Sequence, residues 1–145
     1  MRGIPPLPLL LSVLGLIPFV GGVVAIEYAE GGWKGWAIYS LPVYGALILS
    51  FLGGTTWGFA LADPQRRLVP LRLILAMAPS IAAWLIMFQP PSNRMLSLAA
   101  CLIVWAALDH LMARRALLPE WYPKLRWPMT LIAAASLIAG SQQVG

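Results

Sequence analysis

The sequence predicts an all-α integral membrane protein, a bundle of about five transmembrane helices joined by short loops. Three observations carry this reading. First, 60% of the 145 residues are hydrophobic and only 10% are charged, with a mean hydropathy of +0.79. A soluble domain carries roughly 25% charged residues, so this chain lacks the polar groups to coat a water-facing surface. Disordered, collagen-like, disulfide-scaffold and soluble-enzyme classes are excluded on that count. Second, five stretches approach the about 20 apolar residues needed to cross ~30 Å of hydrocarbon. Third, with those stretches as spans, the basic residues gather in alternate connections and so on one side.

The spans are expected at approximately residues 6–26, 39–62, 68–88, 95–113 and 128–143, forming one domain over 1–145. In the first, Val23-Val24-Ala25 resembles a small-residue cleavage site. However, Pro5, Pro6 and Pro8 open the segment, so it is read as a retained span and not a signal peptide. The second carries Ala46, Ser50, Gly54, Gly58 and Ala62 at every fourth position, with Gly53 beside them. Lipid supplies no hydrophobic drive for helix association, so close approach along small residues supplies it instead. This row, including the Gly54-x-x-x-Gly58 motif, is expected to form a helix-packing seam inside the chain, with a homo-oligomer face or a cofactor wall as the alternatives.

The first and third spans contain Pro18 and Pro79, each removing a backbone donor that neighbours must compensate. The fourth holds the single cysteine, Cys101, which forms no internal disulfide. The fifth is the weakest: its strongly apolar stretch, residues 129–140, gives way to Ser141, Gln142 and Gln143. It is expected to be short, tilted or packed deep in the bundle.

The connections are turn-forming: Glu30-Gly31-Gly32, Asp63-Pro64, Gln89 to Asn93, and Leu118-Pro119. None is long enough for a folded soluble domain. With the N-terminus inside, the inner side holds Arg2, Arg66, Arg67, Arg72, Arg114, Arg115, Lys124 and Arg126, against Lys34 and Arg94 outside. Short cytoplasmic loops favour Lys and Arg, so the N-terminus is expected in the cytoplasm and the C-terminus on the periplasmic side. The net charge of +5 is thus topogenic and lipid-facing, and no nucleic-acid partner is expected. Tyr28, Trp33, Trp36 and Tyr39 at one level, and Trp121, Tyr122 and Trp127 at the other, fit interfacial belts.

Ionisable groups inside a membrane are costly and are paired or functional. Asp109 and Arg72 each lie about four residues inside a span, ~6 Å deep at 1.5 Å per residue, and Trp57 lies near the same level. These residues are expected to form a polar layer. In it Asp109 accepts from Arg72, from the Trp57 indole or from Arg126, and His110 points about 100° away. Such a layer either fixes helix register or relays protons.

Between the fourth and fifth spans, Trp121, Tyr122, Lys124 and Arg126 suit a segment lying in the inner headgroup layer. It is expected to be broken by Pro119 and Pro123 and to anchor to lipid or dock a partner. One histidine cannot give bis-His haem ligation, and no His, Cys, Asp and Glu group has metal-ligand spacing. Walker, dinucleotide and nucleophile-elbow motifs are absent from the sequence. No cofactor, no metal and no enzymatic activity are expected.

Two strings carry a family resemblance. Ile48-Leu49-Ser50-Phe51-Leu52-Gly53-Gly54-Thr55-Thr56-Trp57-Gly58 and Leu118-Pro119-Glu120-Trp121-Tyr122-Pro123-Lys124-Leu125-Arg126 resemble the signatures of the domain-of-unknown-function 3429 family, and Pro79, Trp84 and Asp109 also fit. The resemblance covers nearly the whole chain. It implies a small five-span membrane protein of bacteria and mitochondria, placed in an energy-converting inner membrane. The family brings no assigned activity, so no catalytic residues are carried over.

Short loops, a small-residue helix face and an aromatic-basic segment together point to a non-enzymatic accessory or assembly subunit. Its expected partner is a larger respiratory or photosynthetic membrane complex, with homo-oligomerisation a second route. The rival reading is a minimal transporter or proton-coupled carrier using the Asp109/Arg72 layer, although no inverted repeat accompanies it.

Overall fold

The computed structural model describes residues 3–144. Arg2, counted above among the inner basic residues, lies outside the described residues. Six α-helices follow in order: α1 Pro6–Gly15, α2 Ile17–Tyr28, α3 Gly32–Ala62, α4 Val69–Ile86, α5 Pro91–Arg114 and α6 Trp121–Gln142. Among the described residues there is no strand. α1 and α2 form one span, Pro6–Tyr28, broken at Leu16. The break falls two residues before Pro18, which cannot donate to the preceding turn. There the Tyr44 hydroxyl of α3 donates to the Gly15 carbonyl at 2.7 Å.

Four segments are long and apolar enough to cross a membrane: Pro6–Tyr28, Gly32–Ala62, Val69–Ile86 and Pro91–Arg114. α6 is 22 residues long, ~33 Å at 1.5 Å per residue, but less apolar than these. It is instead sunk into the bundle, with eleven of its residues buried. Its serines are satisfied within the helix, Ser136 Oγ donating to Ile132 O at 2.9 Å and Ser141 Oγ to Ile138 O at 2.6 Å. A helix surrounded by protein needs less hydropathy than one facing lipid, which is why this segment reads weakly.

Two helix starts differ from the sequence reading. α3 begins at Gly32, seven residues before the expected span. Gly31, at φ 60°, turns the chain there, and the exposed Trp33 and Trp36 lie in the first turns of the helix. α6 begins at Trp121, seven residues early. Pro123 falls in its first turn, where backbone N–H groups have no intrahelical acceptor, so it does not break the helix. Pro128 lies inside it.

α3 is the central element, packing on α2, α4, α5 and α6, whereas the backbone of α1 packs on α2 and α6 and meets α3 through the Tyr44 side chain. The core gathers Phe19, Ile26, Leu41, Leu49, Met95, Leu98, Leu102, Trp105 and Leu137. Glycine permits close approach where these helices cross. A Cβ on Gly140 would stand 3.0 Å from Leu41 and 3.1 Å from Met95 Sδ, and one on Gly53 would stand 2.4 Å from the Ala76 carbonyl oxygen.

Candidate functional site

The polar residues inside the bundle sort into two separate buried ion pairs. In the first, Arg72 on α4, 2% exposed, donates from Nη1 to Asp63 Oδ2 at 2.9 Å and from Nη2 to Leu117 O at 2.8 Å. Asp63 caps the C-terminal end of α3, where the helix dipole disfavours a carboxylate. Its other oxygen accepts from the Gln65 amide at 2.9 Å. Arg67 sits 3.5 Å from the same carboxylate and donates to Ala116 O at 2.6 Å. These contacts fasten the α3–α4 turn to the α5–α6 loop. Burial alone would raise the Asp63 carboxyl pKa, but the Gln65 amide, the Arg67 charge and Arg72 outweigh it and hold it below the usual value.

In the second pair, Arg126 on α6 donates from Nε to Asp109 Oδ2 on α5 at 3.1 Å and from Nη1 to the Thr130 hydroxyl. Asp109 is 1% exposed and Arg126 7%. Among the described residues, Asp109 Oδ1 and Arg126 Nη2 are buried without a partner.

The expected single layer is therefore not what forms. Asp109 takes the Arg126 option among the three, Arg72 turns to Asp63, and Trp57 is exposed on the outside of α3. His110 also faces outward, its ring 6.4 Å from that of Trp127. From sequence, Asp63 reads only as a turn former beside Pro64. A carboxylate at a helix C-terminus demands a counter-charge, and that was the available signal for its role.

The small-residue row is displaced as well. Ala46 and Ser50 are half-buried, whereas Gly54, Gly58 and Ala62 are exposed, with nothing within 4 Å of a Cβ on either glycine. The inward face of α3 runs instead through Gly45, Leu49, Gly53, Thr56 and Ala60, and only Gly53 of the expected set lies in a tight crossing. A strict four-residue spacing drifts around a helix of 3.6 residues per turn, so a row that starts near the core ends on the outside.

The aromatic-basic segment is likewise not a free surface strip. Tyr122 and Arg126 are buried, Trp121 is half-buried and only Lys124 is exposed. Tyr122 meets Phe59 of α3 edge-on at 5.2 Å between ring centroids. The segment docks onto its own bundle because it is the start of α6.

Beside the second pair lies a cleft of about 560 Å³ between α1, α3 and α6. Its walls include Leu11 and Ser12 from α1, Tyr44, Phe51 and Thr55 from α3, and Tyr122, Arg126 and Ala133 from α6. No sequence feature had marked it, because it arises from the loose seating of α1, none of whose side chains is buried. Among the described residues no group of three His, Cys, Asp or Glu comes together.

The family described as "Protein of unknown function (DUF3429)" matches residues 4–141. The chain belongs to this family. It is 29% identical over 139 residues to "Transmembrane protein 69" of Xenopus tropicalis, covering 95% of this chain and 54% of that protein. It is also 29% identical over 138 residues to the protein of that name from Mus musculus, covering 92% and 55%. The chain thus spans about half the length of these relatives. No solved structure gives a significant match. Membership agrees with the multi-helix membrane architecture; the family's description states no activity.

Proposed function

We propose that this family member is a non-enzymatic accessory or assembly subunit that packs, through the outer face of α3, against a transmembrane helix of a larger complex in an energy-converting inner membrane. The observation that supports this reading is the open face at Gly54 and Gly58. On the longest helix of the bundle, two glycines one turn apart leave their Cβ positions empty, between the exposed Phe51 and Trp57. Within its own fold the chain makes no use of this approach, and small-xxx-small faces bring membrane helices into backbone contact. The turns that join the helices are too short to hold a catalytic domain, and both buried ion pairs are engaged in fastening helices together. The carrier reading would need Asp109 and Arg72 to act together, whereas each is engaged in a separate ion pair.

The basic turns at residues 63–68 and 115–120 meet at one end of the bundle, which supports placing that end in the cytoplasm. Reporter fusions in the turn at residues 87–90 test the orientation.

The decisive experiment is purification of the tagged full chain from its native membranes in mild detergent, beside Gly54→Leu and Gly58→Leu. A stoichiometric assembly with the wild type, lost in folded variants, is the expected result. A wild-type particle of the chain alone, or an assembly indifferent to both substitutions, overturns the reading.

A further inference from the structure

The cleft between α1, α3 and α6 is mostly apolar, with its one charged group toward one end. Thr55, Tyr122, Arg126 and Thr130 line it toward the basic end of the bundle, while Phe19, Ala133 and Tyr44, whose hydroxyl donates to Gly15 O, line it toward the middle. From Trp121 to Ala133 it follows α6 for ~18 Å at 1.5 Å per residue. A volume of about 560 Å³ falls in the range of about 300–1,000 Å³ that holds one small ligand.

Electrostatics narrows the class of guest. Arg126 contributes to the wall, and Asp109, at 3.1 Å, cancels its charge. An anionic headgroup here would add a buried charge with no counter-ion, at high cost in a membrane. A neutral acceptor adds none, and Arg126, which lines the cleft, has its buried Nη2 without a partner among the described residues. Aromatic rings flank this end, Tyr122 lying edge-on to Phe59 and to Trp121 at 5.2 and 5.9 Å. α1 packs on α2 and α6 and is tied to α3 by the Tyr44–Gly15 hydrogen bond, with none of its side chains buried, so a guest can enter sideways from the bilayer by displacing one lightly seated helix.

We propose that the cleft binds one uncharged, single-tailed amphiphile. A carbonyl oxygen of its head sits at Tyr122 and Arg126, and its tail runs along α6 toward Phe19 and Ala133. An isoprenoid quinone and a monoacylglycerol share this chemistry. The inference does not rest on the partner proposed for α3, whose face at Gly54 and Gly58 borders the cleft at Phe51.

The test is native mass spectrometry of the full chain in nanodiscs, titrated with a decyl-tailed benzoquinone, with monoolein and with oleate at pH 8. One equivalent of a neutral probe is expected to bind about tenfold or more tighter than oleate, the worth of one hydrogen bond or more, and the probe that binds names the source. Ala133→Phe fills the tail end and should abolish binding, with a lowered melting temperature because Ala133 is only 4% exposed and the ring overpacks the core. Should that variant not fold, Leu11→Trp, on a side chain 58% exposed, obstructs the α1 wall without touching the core. Arg126→Lys keeps a cation for Asp109 but loses the guanidinium fork, and should weaken the neutral probe about tenfold. Oleate binding as tightly as the neutral probes, no saturable neutral equivalent, or full affinity in a folded cleft-filling or Arg126→Lys variant would each overturn the proposal.

Discussion

Arg126 Nε stands 3.1 Å from Asp109 Oδ2, one residue on α6 and the other on α5, with both side chains almost wholly shielded. A pair so placed is neutral as a unit and costly when halved. Arg126→Met should leave Asp109 uncompensated and destabilise the protein by ~3–5 kcal/mol; Asp109→Leu should act similarly on Arg126. The double variant should recover more than half of the loss, since apolar replacements of buried pairs are tolerated. Thermal unfolding of the four proteins in one detergent measures the coupling, and additive losses would show that the pair does not act as a unit.

Neighbouring glycines on α3 should behave in opposite ways. Gly53→Ala drives a methyl to 2.4 Å from the Ala76 carbonyl, whereas Gly54→Ala meets nothing within 4 Å. Overpacking costs ~1–3 kcal/mol, so Gly53→Ala should lower the melting temperature in detergent while Gly54→Ala and Gly54→Leu leave it nearly unchanged. Equal losses at both positions would contradict the register of α3.

These two positions also show what could be read in advance. Composition and span length are averages over many residues, so the membrane class, the order of the helices and the family motif strings were legible. Which face of α3 turns inward depends on a drift of 3.6 against 4 residues, and one register step separates Gly53 from Gly54. The partner of Asp109 was legible only as one of three, because choosing needs the rotation of α6. That rotation follows from a helix start at Trp121, which Pro119 and Pro123 had obscured. The cleft depends on how lightly α1 is seated, a tertiary property that no local pattern carries.

Acid should loosen the α3–α4 turn. In the folded protein Asp63 titrates below its unfolded value of about 3.9. Its contribution to stability is therefore fully present above that value and is lost as pH falls through the lower, folded pKa. The melting temperature should change little between pH 7 and 5 on this account and fall at more acidic pH, and Asp63→Asn should flatten that acid limb. An unchanged acid limb in the variant would assign the effect to other carboxylates.

Removing the Tyr44 hydroxyl should free the first helix without unfolding the bundle. Tyr44→Phe deletes the 2.7 Å bond to the Gly15 carbonyl, worth ~0.5–1.5 kcal/mol, but keeps the edge-on contact with Phe19 at 5.0 Å. Amide exchange over residues 6–15 should quicken while α3 and α5 stay protected. Uniform quickening would show that α1 unfolds only together with the rest.

The modest hydropathy of α6 bears on how the chain is made. Eleven of its positions face protein, so its place in the membrane depends on neighbours that are already there. Asp109 meanwhile sits in α5 with no counter-charge until Arg126, 17 residues later, has been synthesised. During biogenesis the last two helices are therefore best delivered together, as a hairpin neutralised by its own residues. A chain stopped after Arg115 should be retained by the insertion machinery or degraded rather than accumulate as a four-span fragment.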